Sequence, residues 1–178
     1  MTRPFLDAGD GLEVHRLEPP DADALQPLIE ANRERLEPWM WWAEASTVEK
    51  TRAFIETAEA EGRLDPLGIV VDGRLVGVMG AMAERFTRNH EIGYWIASSH
   101  EGRGLVTRAC ETLIGHLFTG TGCHRIKITA ATPNARSRAI PERLGFTHEG
   151  TLREAHHNAL GYHDVEVYGL LEHEWSAR

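Results

Sequence analysis

A glycine-containing turn over Glu101–Thr107, which reads E-G-R-G-L-V-T, is the part of the sequence best suited to bind a charged group. An apolar strand is predicted just before it, over Ile92–Ala97, and an amphipathic helix begins directly after it. Gly102 and Gly104 allow the backbone to approach a ligand closely. Several amides and the Thr107 hydroxyl then lie at a helix N-terminus, where free N–H groups and the helix dipole favour an anion. The turn is therefore predicted to bind a phosphate group.

The spacing of the glycines separates the common phosphate-binding motifs. A dinucleotide-binding turn needs a third glycine where Thr107 stands, and an acidic residue about twenty positions later. No carboxylate side chain lies between Glu111 and Glu142. A P-loop needs four residues between its glycines and a following lysine, and the turn has neither. On the turn alone, an ordinary strand–helix junction without a ligand stays open as an alternative.

Length, composition and charge are those of a single globular domain. The chain has 178 residues, 42% hydrophobic and 26% charged, so residues 1–178 are expected to form one domain. No apolar run approaches the roughly 20 residues that span a bilayer, and the N-terminal segment lacks a signal-peptide pattern. The net charge of −8 argues against nucleic-acid binding and suits a cationic partner.

Cysteine and histidine usage bears on the cellular compartment and on metals. Cys110 and Cys123 are the two cysteines, and Cys110 lies on the apolar face of a predicted helix. Both are expected to be reduced thiols in a cytoplasmic protein. The ten histidines show no metal-ligand spacing, so no metal is expected.

The hydrophobic patterns predict a mixed α/β domain in the order β-α-α-β-β-β-α-β-α-β-β. Strands are predicted at Leu12–Leu17, Leu67–Val71, Arg74–Ala83, Arg88–Ala97, Arg125–Ala131, Phe146–His156 and His163–Leu171. Helices are predicted from Asp21 to Leu36, from Ser46 to Gly62, directly after the central turn, and from Asn134 to Leu144. Asp72-Gly73 predicts a hairpin, Ser46 with Glu49 predicts a capping box, and Asn158–Gly161 is a predicted loop.

With the turn at the centre of this order of elements, the chain resembles the GNAT superfamily of acetyl-CoA-dependent N-acetyltransferases. That family's turn reads Gln/Arg-x-x-Gly-x-Gly/Ala, and Glu101, Gly104 and Val106 stand at its defining positions. Only Gly104 matches strictly. Further motifs resemble the branch that acetylates N-terminal amines of ribosomal proteins, in which glutamate and a long apolar residue do occur in the turn. These motifs are W-M-W-W (Trp39–Trp42), E-I-G-Y-W-I (Glu91–Ile96), E-G-R-G (Glu101–Gly104), N-A-R-S-R-A (Asn134–Ala139), E-R-L-G-F-T-H-E-G (Glu142–Gly150) and Y-H-D-V (Tyr162–Val165).

The resemblance, which spans about Leu12 to Trp175, implies a fold and a co-substrate. The fold would be α/β, with a mixed, mostly antiparallel sheet of about six to seven strands and about four helices. Two central strands would splay next to a bulge and open a slot for the pantetheine arm of coenzyme A beside Tyr94–Ala97. The residues expected to bind acetyl-CoA are Tyr94, Trp95, Ile96, Glu101, Gly102, Arg103, Gly104, Leu105, Val106, Thr107, Asn134 and Ser137.

Two residues at the start of a predicted helix match family residues that have catalytic or binding roles. Asn134 resembles an asparagine that contacts the cofactor near the acetyl group, and its structural alternative is a helix N-cap. Ser137 matches a serine placed to protonate the departing thiolate, although a helical serine can also bond to its own backbone. Pro141 cannot donate to the Ser137 carbonyl, so the helix is expected to loosen there.

The acceptor is predicted to be a primary amine, in the first place a protein N-terminal amine, which attacks the thioester directly. His156 is the first candidate for the general base, because a catalytic carboxylate can stand at that position in the resembling branch, nineteen residues after the serine. Glu91 is the second candidate, since the family often uses an acidic residue on the strand before the turn.

Three tryptophans, Trp39, Trp41 and Trp42, are candidate substrate-binding residues. They lie in a proline-containing loop over Glu37–Ala45, where they cannot all point inward easily, so one or two are expected to line the substrate cleft rather than fill the core. The alternatives left open are a small-molecule acceptor, such as an antibiotic, a polyamine or an amino acid, and a non-catalytic acyl-CoA-binding module. A homodimer is compatible with each of them.

Overall fold

The computed structural model describes residues 4–61, 63–84, 86–158 and 161–177 and contains one eight-stranded sheet. The strands are β1 Pro4–Asp7, β2 Leu12–Arg16, β3 Leu64–Val71, β4 Arg74–Ala83, β5 Asn89–Ile96, β6 Arg125–Ala131, β7 Thr147–Asn158 and β8 Gly161–Leu171. The α-helices are α1 Ala22–Glu30, α2 Arg33–Leu36, α3 Val48–Ala60, α4 Leu105–Gly120, α5 Ala135–Arg143 and α6 Glu172–Ser176. The strand order is β1-β2-β3-β4-β5-β6-β8-β7, and every neighbouring pair is antiparallel except β5–β6. The predicted mixed, mostly antiparallel sheet is confirmed.

Within these ranges, eight strands and six α-helices exceed the predicted six to seven strands and about four helices. The extra strand β1 has only four residues and pairs with β2 at the sheet edge, so it carries too short a pattern to be recognised. The helix predicted from Asp21 to Leu36 is interrupted at Asn32, whose backbone leaves the helical conformation with φ −119° and ψ 6°. The Asn32 side chain donates to the Leu28 carbonyl at 2.9 Å, a bond that competes with the helical pattern.

The hairpin predicted at Asp72-Gly73 is confirmed. The two residues have φ values of 49° and 75°, and a two-residue turn between twisted strands requires positive φ at both positions. Two other predictions fall in part outside the described residues: the end of the second helix at Gly62, and the loop through 159–160.

The cap of α3 lies one residue later than predicted. The Thr47 hydroxyl accepts a hydrogen bond at 3.3 Å from the backbone amide of residue 50, three positions on. Ser46 does not cap the helix, because its hydroxyl donates to the Gln26 side chain at 3.1 Å and so joins α3 to α1.

Two hydrophobic clusters hold the helices against opposite faces of the sheet. The larger cluster contains the apolar face of α4, whose buried residues are Leu105, Ala109, Cys110, Leu113, Ile114, Leu117 and Phe118. The smaller cluster contains apolar residues of α1, α2 and α3, among them Leu25, Ile29, Leu36 and Ile55. Strand β5 contributes to both, since Ile92 and Ile96 belong to the larger cluster and Trp95 to the smaller one. This division follows from the alternation of side chains along a strand.

Strands β5 and β6 separate after a short parallel contact. They pair only through Asn89–Glu91 and Arg125–Lys127, and no later pair forms between the described residues of these two strands. Beyond that point β5 stays paired with β4, whereas β6 stays paired with β8. The predicted splay of two central strands is therefore present. The β4–β5 ladder runs without a register shift, but β4 has one extra residue against β3 between Leu75 and Gly77, so a bulge lies beside Ile96 at the end of β5.

Candidate active site

The central turn has the backbone shape that an anion site needs. Gly102 and Gly104 both have φ of 72°, and Gly104 is the N-cap of α4 in the left-handed conformation. A Cβ added at either glycine would meet no atom within 4 Å, so the space in front of the turn is open. The amides of residues 105–107 lie in the first turn of a 16-residue helix, where no carbonyl one turn earlier can accept from them within the helix.

The side chains of the turn mostly anchor it rather than face a ligand. Leu105 is buried, and Val106 is half-buried against the larger cluster, so these side chains mainly fix the turn to the core. Arg103 is exposed at the tip, and Thr107 is half-buried. The predicted phosphate contacts therefore depend mainly on the backbone.

The charge of Glu101 is neutralised by two arginines that the sequence interpretation did not include. Arg35 Nη1 lies 2.7 Å from Glu101 Oε1, and Arg136 Nη1 lies 2.5 Å from Glu101 Oε2. Arg35 also donates to the Ile96 carbonyl and so fastens α2 to the end of β5. The arrangement would allow a glutamate to lie beside the predicted phosphate site. Arg136 belongs to the N-A-R-S-R-A motif and could have been considered, but nothing in the sequence relates Arg35 to a turn 66 residues later.

The open edge of β5 supplies polar backbone groups to the slot between β5 and β6. The Ala97 amide donates to the Val76 carbonyl of the β4 side at 2.8 Å. Because backbone groups alternate along a strand, those of Tyr94 and Ile96 point away from β4 and toward the slot. The Ile96 carbonyl already accepts from Arg35, so Ile96 offers the slot its amide. Trp95 was predicted to bind the cofactor, but its side chain is 7% exposed and packs in the smaller cluster. Its backbone groups, two residues before Ala97, point toward Val78 of β4, so neither part of Trp95 faces the slot.

Asn134 and Ser137 line one wall of a cleft at the splay. The Asn134 side chain accepts from the Ser137 amide at 3.2 Å, so it acts as the N-cap of α5. Pro141 leaves the Ser137 carbonyl without its usual helical donor, and the Tyr94 hydroxyl donates to that carbonyl at 3.0 Å. The Ser137 hydroxyl lies 3.4 Å from the Tyr94 hydroxyl rather than bonding back to its own helix. Burial raises the pKa of Tyr94, so this phenol stays protonated.

The cleft has a volume of about 440 Å³. The three tryptophans of the loop lie at different positions relative to it. Trp39 lines the cleft and stacks on His156, with ring centroids 6.4 Å apart. Trp42 packs in the smaller cluster beside Trp95, and Trp41 is 86% exposed. One of the three, Trp39, therefore lines the cleft, where one or two were expected. The loop turns Trp42 toward the smaller cluster and Trp41 into solvent, so neither of these two lines the cleft as the structure has it.

His156 lies in the cleft with one ring nitrogen already engaged. Its Nε2 is 2.8 Å from the Pro38 carbonyl oxygen, which can only accept, so Nε2 carries the proton in the neutral ring. Nδ1 is then the nitrogen that can accept a proton. Strand β7 bulges between Leu152 and His156, where Glu154 has φ of 52° and its amide donates to Asp164 Oδ1 at 2.8 Å. The bulge re-aims this part of the strand beside the cleft.

Glu91, the second base candidate, also lines the cleft, but both of its oxygens are engaged. The Thr129 hydroxyl donates to Oε1 at 2.7 Å, and Lys127 Nζ lies 3.1 Å from Oε2. Lys127 Nζ is also 3.1 Å from Glu84. Burial would lower the pKa of Lys127, but the two carboxylates outweigh this effect and raise it. Thr129 and Lys127 were not predicted, because their roles depend on the β5–β6 contact.

Neither cysteine is among the residues that line the cleft. Cys110 and Cys123 are both buried, and burial raises the pKa of each thiol, so neither is a thiolate nucleophile. In the described ranges, no three His, Cys, Asp or Glu side chains are grouped to hold a metal ion. None of the helices described has both the length and the apolar character needed to cross a membrane.

Comparison with known proteins identifies the family. Residues 12–147 match the family described as acetyltransferase (GNAT) domain. The chain is 37% identical over 172 residues to YdaF of Bacillus subtilis (strain 168), provisionally named a ribosomal N-acetyltransferase, with 92% of this chain and 93% of the relative covered. It is 27% identical over 171 residues to the ribosomal-protein-serine acetyltransferase of Escherichia coli (strain K12), covering 93% and 96%.

A solved structure of Mycobacterium smegmatis RimJ in complex with CoA-disulfide agrees with these matches. It superposes with a TM-score of 0.82 at 28% identity, covering 99% of this chain and 93% of that one. The glycine turn, the splayed strands and the matched family lead to the same conclusion. The chain belongs to the GNAT acetyltransferase family and is an N-acetyltransferase that uses acetyl-CoA.

Proposed function

We propose that the acceptor is the N-terminal amine of a protein, in the first place a ribosomal protein. The observation that carries this proposal is that the cleft holding Ser137, Trp39 and His156 is open on one side, where Leu152 on its rim is 54% exposed. An open side lets a polypeptide continue out of the cleft, whereas a small molecule is better retained by a closed pocket. The names of the two ribosomal acetyltransferase relatives support the same class of acceptor. The chain would act as one domain, 1–178, in the cytoplasm, as a monomer or a homodimer.

The energetics of deprotonation favour an N-terminal amine with a weak base. A lysine ammonium has an ordinary pKa near 10.4, so its deprotonation at pH 7 costs about 4.6 kcal/mol. An N-terminal amine near 7.8 costs only about 1.1 kcal/mol. Neutral imidazole is adequate for the second task. His156 is the proposed base because its Nδ1 is available while the Pro38 carbonyl fixes the ring.

In the proposed reaction the amine attacks the thioester of acetyl-CoA directly, and each group that gives up a proton regains one. The amine nitrogen forms a bond to the acetyl carbon while the carbon–sulfur bond breaks, and the bonding electron pair stays on sulfur. His156 Nδ1 takes the proton that the amine loses, and Ser137 gives its proton to the sulfur. Ser137 then takes up a proton from solvent, and His156 releases to solvent the proton that it took from the amine. Coenzyme A would be held in the slot by the backbone of Tyr94 and the amide of Ile96, and at the turn by the amides of residues 102–107.

The charges of the cleft favour an acceptor with a single amine over a polyamine. A polyamine needs carboxylates for its remaining ammonium groups. Glu91 already accepts from Lys127, and the same ammonium holds Glu84. An entering polycation would therefore have to displace an internal lysine and would be repelled by its charge.

The test is acetyl-CoA turnover with a panel of peptides that differ in their first residue, compared with spermidine and free amino acids. We expect peptides with a free N-terminus to be turned over, and the same peptides with a blocked N-terminus but a free lysine side chain to be inactive. Faster turnover of spermidine, or equal turnover of the blocked peptides, would contradict the proposal.

A further inference from the structure

The hydroxyl of Tyr94 makes two contacts with Ser137 that the reaction above does not use. It donates to the Ser137 carbonyl oxygen at 3.0 Å and lies 3.4 Å from Ser137 Oγ. Tyr94 belongs to β5 and Ser137 to α5, and both residues line the cleft. The contact therefore joins the strand along the slot to the helix that carries the proposed proton donor.

The carbonyl contact has its origin in Pro141. In a regular helix the Ser137 carbonyl would accept from the amide four residues later, and here that residue is a proline without an N–H. A carbonyl in a part-buried position needs some other donor. The Tyr94 hydroxyl takes the place of the missing amide.

The two contacts fix the direction of both hydroxyl protons. A phenol has a single proton, and Tyr94 gives it to the Ser137 carbonyl, which can only accept. Toward Ser137 Oγ the Tyr94 oxygen can then only accept, so the serine hydroxyl donates to it. Burial raises the pKa of Tyr94, and the phenol therefore keeps this arrangement through the neutral range. At 3.4 Å the serine's bond is long and weak, so its proton is oriented but readily released to a better acceptor.

We propose that Tyr94 is a positioning residue for Ser137: it holds the serine hydroxyl so that its proton can turn to the sulfur as the carbon–sulfur bond breaks. The inference rests on the proposed role of Ser137. Tyr94 transfers no proton itself, because its own proton stays on the carbonyl, and so solvent rather than Tyr94 restores the proton of Ser137.

The first test compares Tyr94→Phe with a matched control, Tyr168→Phe. The Tyr168 hydroxyl also contacts α5, accepting from Arg138 at 3.3 Å and donating to Glu142 at 3.1 Å, but it does not touch Ser137. With a peptide acceptor we expect Tyr94→Phe to lower kcat by about three- to tenfold at unchanged peptide KM and coenzyme A affinity, because only transition-state contacts are lost. Tyr168→Phe should leave kcat unchanged. The effect of Tyr94→Phe should disappear in a Ser137→Ala background, because it acts through that hydroxyl.

The second test distinguishes two roles of Tyr94: positioning the Ser137 hydroxyl, and donating a hydrogen bond to the Ser137 carbonyl. Pro141→Ala supplies the missing N–H, so the double variant Tyr94→Phe/Pro141→Ala should recover the Tm lost in Tyr94→Phe but not its kcat. Recovery of kcat as well would overturn the inference, since Tyr94 would then serve only as a carbonyl partner. An unchanged kcat in Tyr94→Phe, or independent effects of Tyr94→Phe and Ser137→Ala, would overturn it and leave the proposed acceptor intact. Full activity of Ser137→Ala would instead remove the role of Ser137 on which the inference rests.

Discussion

At the scale of single residues, His156 and Glu91 differ in how free they are to accept a proton. His156→Ala is expected to lower kcat by roughly ten- to a thousandfold, the usual scale for loss of a general base. The acidic limb of the pH–rate profile should vanish too, because that limb reports protonation of the base. Glu91→Gln is the comparison variant, and we expect it to keep the limb, since both Glu91 oxygens are already engaged by Thr129 and Lys127. A limb that persists in His156→Ala and is lost in Glu91→Gln would transfer the assignment to Glu91.

Glu101 offers a second test at this scale, because two arginines compensate its charge. Glu101→Gln should tighten coenzyme A binding by about two- to tenfold, since it removes a negative charge near the phosphates and frees Arg136 for them. The gain should shrink at high salt. Calorimetry of Glu101→Gln in an Arg136→Gln background should show most of the gain lost, whereas an Arg74→Gln background, at an exposed hairpin, should retain it. An equal gain in both backgrounds would mean that Arg136 is not involved.

At the scale of elements, the role of the strand–turn–helix unit in binding coenzyme A can be tested by substituting two glycines that have the same backbone geometry. Gly104 and Gly73 have φ values of 72° and 75°, and an added Cβ at either would meet no atom within 4 Å. Valine at either position should therefore cost a similar stability of about 1–2 kcal/mol from backbone strain. Only Gly104→Val should abolish coenzyme A binding, because its side chain would occupy the space before the turn. Unchanged affinity in the folded Gly104→Val variant would show that the phosphates bind elsewhere.

The predictions from sequence succeeded where the determinants are local in the chain. The glycine turn, the Asp72-Gly73 hairpin and the apolar face of α4 each depend on residues within one element. The strand β1 and the break at Asn32 were missed because a four-residue pattern is too short, and because a side-chain bond interrupts an otherwise helical sequence. The candidate site was predicted to the level of its elements, but Arg35 and Lys127 depend on contacts between distant segments.

At the scale of the whole molecule, the tryptophan loop contributes to both the cleft and the smaller cluster. Trp39→Ala is expected to raise the KM for a peptide acceptor with little change in kcat or coenzyme A affinity. This pattern would mean that the tryptophan contacts the peptide equally well in the ground state and in the transition state. Trp42→Ala should instead lower the free energy of unfolding by about 2–4 kcal/mol, because it leaves a cavity beside Trp95. Steady-state kinetics and denaturant unfolding of both variants distinguish these outcomes. A shared loss of stability would place Trp39 in the core as well.

The short helix α2 lies between the predicted phosphate site and the proposed acceptor cleft, which a single turn of backbone joins. Arg35 contacts Glu101 in the central turn, and four residues later Trp39 lines the cleft, with its amide bonded to the Leu36 carbonyl at 2.9 Å. We expect a displacement of Arg35 to shift Trp39 as well, because only four residues of hydrogen-bonded backbone join them. Thermodynamic linkage makes such communication reciprocal: the factor by which coenzyme A alters peptide affinity equals the factor by which the peptide alters coenzyme A affinity.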